Sequence, residues 1–286
     1  MNRNSFIVLA VVLGSFRAVI GAGDEKAADA TPETKTVSPV RKLLDESLAW
    51  EELFANERST TPMTAKVVLR WGNNTRGGAE EGMTVLYLAD GRPEAAGCFY
   101  PWAGALVHGL GSLSRGTLLA KRDGAVVWHP EKPGVQFQPI PAAGAPAETP
   151  AARLRQMKSM ASQFSSTLLG WRGDNSDREV LRMLPQPLYR YESKRSDLLD
   201  GAVFAFVQGT DPESLLLIEA FKKDDGFEWQ FAFALRTSGE LEGRHQDKFV
   251  WHSDRLTIEN DPRLTYISLT RPLNFDVPSD QPKKGE

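Results

Sequence analysis

The stretch GTLLAKRDGAVVWHP, residues 116–130, realigns without a gap on GELEGRHQDKFVWHS, residues 239–253, at a constant offset of 123. Gly116 falls on Gly239, Leu118 on Leu241, the small-then-basic pair Ala120-Lys121 on Gly243-Arg244, and Val127-Trp128-His129 on Val250-Trp251-His252. An offset of this length is too long for a solenoid unit and suits one duplicated half-domain. Trp128 and Trp251 each follow β-forming residues, and both are expected to anchor a core because large aromatic rings bury the most surface per residue.

Outward from this block the chain reads as short β-rich runs separated by turn chemistry. Before it stand runs at 67–71, 83–88 and 94–100, and within it 117–121 and 125–128; Asp90-Gly91 and Asp123-Gly124 supply the positive φ angles of type I′ hairpins. The second series runs through 179–183, 188–192, 203–207, 215–221, 228–235, 240–244 and 249–252, with turns at Gly209-Thr210-Asp211-Pro212 and Asp225-Gly226. Extended backward with gaps, the repeat sets Leu69-Arg70-Trp71 against Phe206-Val207-Gln208 and Asp90-Gly91 against Asp225-Gly226. The half-repeats are thus about 65–138 and 178–253. Apolar residues near a 3.6 period predict a helix over 39–57 (Leu43, Leu44, Leu48, Trp50, Leu53, Phe54). A second is expected over 149–169, with Thr149 as N-cap, Pro150 at the first position and Gly170 as the stop. The fold class is α+β: a large antiparallel sheet from two similar meanders with two covering helices, one sheet face covered and one partly wetted. A closed or half-closed barrel is the alternative.

Arg3 and the apolar run from Phe6 to Phe16 read as an export signal too short to span a bilayer, with small residues for cleavage near Ala22 or Gly23. The expected organisation is a signal peptide at 1–22, a disordered linker at 23–38, one domain at 39–276 and a disordered tail at 277–286. Localisation is then periplasmic or secreted, with no membrane span after cleavage. Cys98 is the sole cysteine, so no intrachain disulfide can form and stability must come from the core. A mature chain of about 260 residues is long enough for that. The net charge of −3 offers no global attraction to nucleic acid or anionic lipid.

The search for chemistry is largely negative. His108, His129, His245 and His252 form no zinc motif, so no metal is assigned. Ser112, Ser114, Ser165 and Ser166 occupy no nucleophile elbow, and Cys98 sits in an apolar strand without the electropositive setting of a reactive thiolate. Gly109-Leu110-Gly111 is too short to cradle a phosphate, and no cofactor is implied. Glu192, Glu219, Glu228 and Asp254 lie in or beside apolar strands, where an acid pair could be built but sequence cannot give its separation.

Two polar-aromatic stretches carry the candidate ligand-binding residues. Arg70, Trp71, Asn73, Asn74 and Arg76 combine guanidiniums, amides and an indole at a strand end; Gln186, Tyr189 and Tyr191 lie in a proline-stiffened segment. Such groups suit a carboxylate, phosphate or sugar ring, and a small-molecule or glycan ligand is left open as partner. The alternative is an Asn/Gly-rich turn and a stiffened edge strand.

On Leu69-Arg70-Trp71-Gly72-Asn73, Asp90-Gly91-Arg92-Pro93-Glu94, residues 184–191 and the run DGAVFAFVQGTDPE at 200–213, the chain resembles a family of uncharacterised exported bacterial proteins with no assigned activity. The likeness runs from the first helix to Trp251 and implies a shared domain architecture. It carries over no catalytic residue, ligand or partner. The functional expectation is an exported non-enzymatic binding or scaffold module; a hydrolase of unrecognised type outside the cytoplasm and a homo-oligomeric envelope protein are the alternatives.

Overall fold

The computed structural model describes residues 38–72, 81–170, 177–192, 197–257 and 260–273, and these described residues fall in one compact unit. The expected signal peptide, the C-terminal tail and all of the linker but Ser38 lie outside the described residues. Among the described residues no helix is long and apolar enough to cross a membrane.

The chain runs α1 (Pro39–Ser47), β1 (Glu52–Phe54), β2 (Thr64–Trp71), β3 (Gly82–Ala89), β4 (Arg92–Trp102), β5 (Ala105–Ser112), β6 (Leu119–Arg122), β7 (Ala125–Trp128) and β8 (Gln138–Pro139). It continues through α2 (Pro150–Ala161), β9 (Phe164–Leu169), β10 (Arg178–Val180), β11 (Arg182–Met183), β12 (Tyr189–Tyr191), β13 (Leu198–Gln208), β14 (Asp211–Lys223), β15 (Gly226–Leu235), β16 (Glu240–His245), β17 (Lys248–Ser253) and β18 (Tyr266–Pro272). The fold is α+β and antiparallel throughout. Its strands form four sheets instead of one: β18-β5-β4-β3-β2, β11-β13-β14-β15-β8 with β12 also on β13, and the smaller β1-β6-β7 and β10-β9-β16-β17.

Three apolar layers hold these sheets together. Leu86 and Ala96 of the first large sheet, with Leu113 just after β5, meet Val203, Ala205, Val207, Leu215 and Leu217 of the second. On the first sheet's far face Met83, Val85, Tyr87 and Phe99 pack against Leu44 of α1 and Trp128 of β7. On the second sheet's far face Phe204, Phe206, Leu216 and Ile218 pack against Met157 and Met160 of α2 and Leu241 of β16. Both faces of both central sheets are therefore covered, which is why runs such as Leu215-Leu216-Leu217-Ile218 do not alternate. The expectation of a partly wetted face is corrected accordingly.

Both helices end earlier than their apolar spacing indicates. α1 stops at Ser47 because Trp50 stacks on His108 at 5.1 Å and Leu53 and Phe54 are drawn into β1 against β6. α2 stops at Ala161, and Phe164 and Leu168 belong to β9. A spacing of four returns a side chain to the same side in a helix and in a strand, so those two residues satisfied both readings. β5 was hidden by its glycines. A Cβ at Gly109 would lie 2.6 Å from the Tyr266 hydroxyl, and one at Gly111 2.6 Å from the Leu235 carbonyl oxygen. The glycines thus mark close approach within a packed strand.

The β6–β7 and β16–β17 hairpins share one register. Ala120 pairs with Trp128, Lys121 with Val126 and Arg122 with Ala125, with a bulge after Ala120; Gly243 pairs with Trp251, Arg244 with Phe249 and His245 with Lys248, with a bulge after Gly243. Both turns use two positive φ angles, at Asp123-Gly124 and Gln246-Asp247. The β3–β4 hairpin repeats the ladder of β13–β14 in the same way: Leu88–Pro93 and Ala89–Arg92 correspond to Val207–Pro212 and Gln208–Asp211, each beyond a bulge. The pairings match Asp90-Gly91 with Gly209-Thr210, and Arg70-Trp71 with Arg190-Tyr191, so the gapped part of the sequence alignment is corrected by one hairpin. Finally, β8, which follows β7, pairs with β15 in the other series, and β18, which follows β17, pairs with β5.

Candidate functional site

A cavity of about 510 Å³ opens where the β3–β4 turn and the segment after β5 meet β13 and β14; it is the largest of three described cavities. Arg92, Glu94, Ser114, Arg115 and Phe221 line it, with the exposed Asn56 and Asp90. Behind them sits Glu219, fully buried in the otherwise apolar middle of β14. Arg92 donates from Nε to Glu219 Oε1 at 2.8 Å and pairs through Nη1 with Glu94 at 3.0 Å. Arg115 donates from Nη2 to Glu219 Oε2 at 2.8 Å and to Gln230 Oε1 at 3.2 Å. The Tyr191 hydroxyl donates to Glu219 Oε1 at 2.8 Å. The Arg115 guanidinium is clamped between the Phe137 and Phe221 rings, 3.6 and 4.1 Å from their centres.

This network fixes charge without creating a reactive group. Burial disfavours the charged form of Arg92, but Glu219 and Glu94 more than offset it and hold its pKa above the ordinary value. Burial, reinforced by Glu219, pushes the Tyr191 hydroxyl well above the ordinary tyrosine range. With both Glu219 oxygens engaged by cations and a hydroxyl, that carboxylate has no role left as a general base or nucleophile.

Two other buried networks are structural. Asp200 accepts from Arg153 Nε at 2.7 Å and from Arg190 Nε and Nη2 at 3.0 and 2.6 Å, tying α2 to β12 and β13. Glu51 accepts from Arg122 Nε at 2.7 Å and meets His108 Nδ1 at 2.6 Å, while His108 lies flat on Phe99 at 3.6 Å. By ladder register these three positions correspond to Phe164, His245 and Phe231, which form an aromatic cluster in the second series. Burial lowers the His108 pKa against the raising effect of Glu51. Burial raises that of Glu51, but His108 and Arg122 bring it below the ordinary value.

The sequence-derived candidates are distributed over three places. Arg70 pairs with Asp45 of α1 and, with Trp71 and Arg41, lines a separate cavity of about 250 Å³. Trp71 lies over Gly82 as Tyr191 lies over Gly201, where a Cβ would come within 2.5 Å of the tyrosine ring. Gln186 is exposed, and Tyr189 is half-buried with Lys66 Nζ 4.6 Å from its ring centre. Only Tyr191 reaches the larger cavity, through Glu219. Asn73, Asn74 and Arg76 lie outside the described residues. Arg92 and Arg115 were not among the candidates because they read as turn residues, and Glu94 because it read as the start of a strand; the one signal was Glu219, a charge in the apolar run LLLIEAF that was weighed only as a member of an acid pair.

His129 meets Glu57 at 3.1 Å and His252 meets Asp254 at 3.0 Å near the surface. Cys98 is buried and its thiol is pushed well up, chiefly by burial. Among the described residues no group of three His, Cys, Asp or Glu side chains is arranged to hold a metal ion. No family model, curated protein or solved structure matches the chain.

Proposed function

We propose that the protein is an exported, non-enzymatic binding module, assembled from two duplicated half-domains, whose ligand occupies the 510 Å³ cavity. The observation that carries the reading is the Arg92–Glu219–Arg115–Tyr191 network beneath that cavity, in which both Glu219 oxygens are engaged. Preorganised charges held by one another serve recognition, since they orient a polar ligand with little reorganisation, and the central carboxylate, Glu219, is committed to its cations and the Tyr191 hydroxyl. Duplication is supported by the two pairs of hairpins with common register and bulge. It is further supported by Ser38-Pro39 and Thr149-Pro150, the like N-caps that start α1 and α2. Under this reading the second copy of the network has diverged: Arg92 corresponds to Asp211 and Glu219 to Tyr100.

A thermal-shift screen of metabolites and glycans, on the wild-type protein and on Phe221→Ala, tests the site. Stabilising ligands are expected with the wild type and lost with the variant, and they should be recovered chemically unchanged after incubation. Conversion of a ligand would reinstate the hydrolase, and no ligand at all would leave a scaffold. Export rests on the Arg3-led apolar run; N-terminal sequencing of exported material should begin within a few residues of Gly23, and recovery of intact Met1 in the cytoplasm would refute it.

A further inference from the structure

The charges at the cavity form an open chain of alternating sign: Glu94, Arg92, Glu219, Arg115. Its two inner members pair with each other, Glu219 using both oxygens, while Arg92 Nη2 is sealed without a partner. Its two ends are less fully used. Glu94 uses Oε2 for Arg92, and Oε1 has no partner among the described residues. Arg115 uses Nη2 for Glu219 and Gln230, and Nη1 has none. Neither Glu94 Oε1 nor Arg115 Nη1 is among the sealed, unpartnered polar atoms, so each keeps some exposed surface, on side chains that line the cavity. The aromatic clamp fixes the plane of the Arg115 guanidinium, which favours a planar carboxylate over a point anion.

A purely anionic ligand would meet the carboxylates of Glu94 and Asp90, and a purely cationic one would meet Arg115. A ligand carrying both charges closes the chain. We infer that the ligand is a zwitterion of amino-acid or short-peptide size, its carboxylate on Arg115 and its ammonium on Glu94; this rests on the reading of the cavity as the binding site. A volume of about 510 Å³ admits either size. In the second series Glu94 corresponds to Glu213, but Arg115 corresponds to Ser238, so the counterpart position lacks the cation. One ligand per chain follows, despite two half-domains.

Isothermal titration of the mature protein with free L-amino acids and glycyl dipeptides, each beside its N-acetyl and C-amide derivative, tests this. The free forms should bind one to one, and blocking either end should weaken binding about tenfold or more, the loss of one charge-assisted contact. Glu94→Gln and Arg115→Lys, the latter keeping a cation beside Glu219, should each weaken the free forms similarly, with folding checked by circular dichroism. The capped derivatives need no variant, so the test survives a variant that fails to fold. The inference is overturned if no free amino acid or dipeptide binds, if capped forms bind as tightly as free ones, or if folded variants bind like the wild type. Should another class of ligand bind and be lost in Phe221→Ala, the zwitterion falls and the cavity stands as the site; if no class binds there, both fall.

Discussion

Trp128 and Trp251 occupy one register position in two hairpins yet differ in burial, and the difference sets what each contributes. Trp128 is fully buried and donates its indole N–H to the Leu264 carbonyl at 2.8 Å. Trp251 is half-buried, with one face stacked on Phe233 at 5.2 Å. Trp128→Ala should cost about 3–5 kcal/mol in urea unfolding, and Trp251→Ala clearly less; equal losses would mean that the second ring is a core anchor after all. Gly201→Ala should be destabilising by about 1–3 kcal/mol, because the new methyl meets the Tyr191 ring. The Glu51–His108 pair gives the fold an acid limit. His108 has a folded pKa below its ordinary 6.5, so the unfolded chain takes up the proton first and stability falls as pH drops below 6.5. Glu51 has a folded pKa below its ordinary 4.5, so its contribution is present above 4.5 and disappears as pH falls through the folded value. Both act in the same direction. His108→Phe, which installs the residue found at the corresponding position 231, should flatten the urea midpoint between about pH 7 and pH 5; an unchanged slope would assign the acid sensitivity elsewhere.

At the scale of elements, local chemistry was legible and pairing was not. Asp90-Gly91 and Asp123-Gly124 announced their hairpins because only a few residue types tolerate two successive positive φ angles. Strand existence followed from β-rich runs. The helix ends failed where a spacing of four fitted both periods, and β5 failed because close approach of Tyr266 and Leu235 required glycine where a strand usually avoids it. The last strand, β18, carried no expectation, since its partner lies in the other half of the chain. Its role is testable: truncation before Tyr266 should leave the β5 edge open and produce an aggregating protein. A monomeric truncation product with wild-type melting would show that β5 needs no cover. Asp200, between Arg153 and Arg190, is expected to be similarly indispensable for docking α2, with Asp200→Ala losing about 3 kcal/mol because the buried Arg153 loses its counter-ion and the half-buried Arg190 its partner.

At the scale of the whole molecule, the likeness of the two hairpin series was visible where the repeated block keeps its tryptophan and histidine, and invisible where positions of like register exchange chemistry. Glu51, His108 and Arg122 against Phe164, Phe231 and His245 is such an exchange. The site was less legible still, because its charges come from three separated segments, and of its members only Glu219 and Tyr191 were singled out. Separate expression of the chain up to the loop before Thr149 and from Thr149 onward should yield two unstable fragments that fold when combined, since each large sheet takes an edge strand from the other fragment; a native spectrum from either fragment alone would contradict the exchange. The same exchange governs how the protein is made. β18 is made only after β6 to β17, so the first sheet cannot close its hydrogen bonds on β5 until that whole stretch has been synthesised. Pairing across so long a separation is slow, and until β18 arrives the nascent chain carries an open strand edge that can take wrong partners.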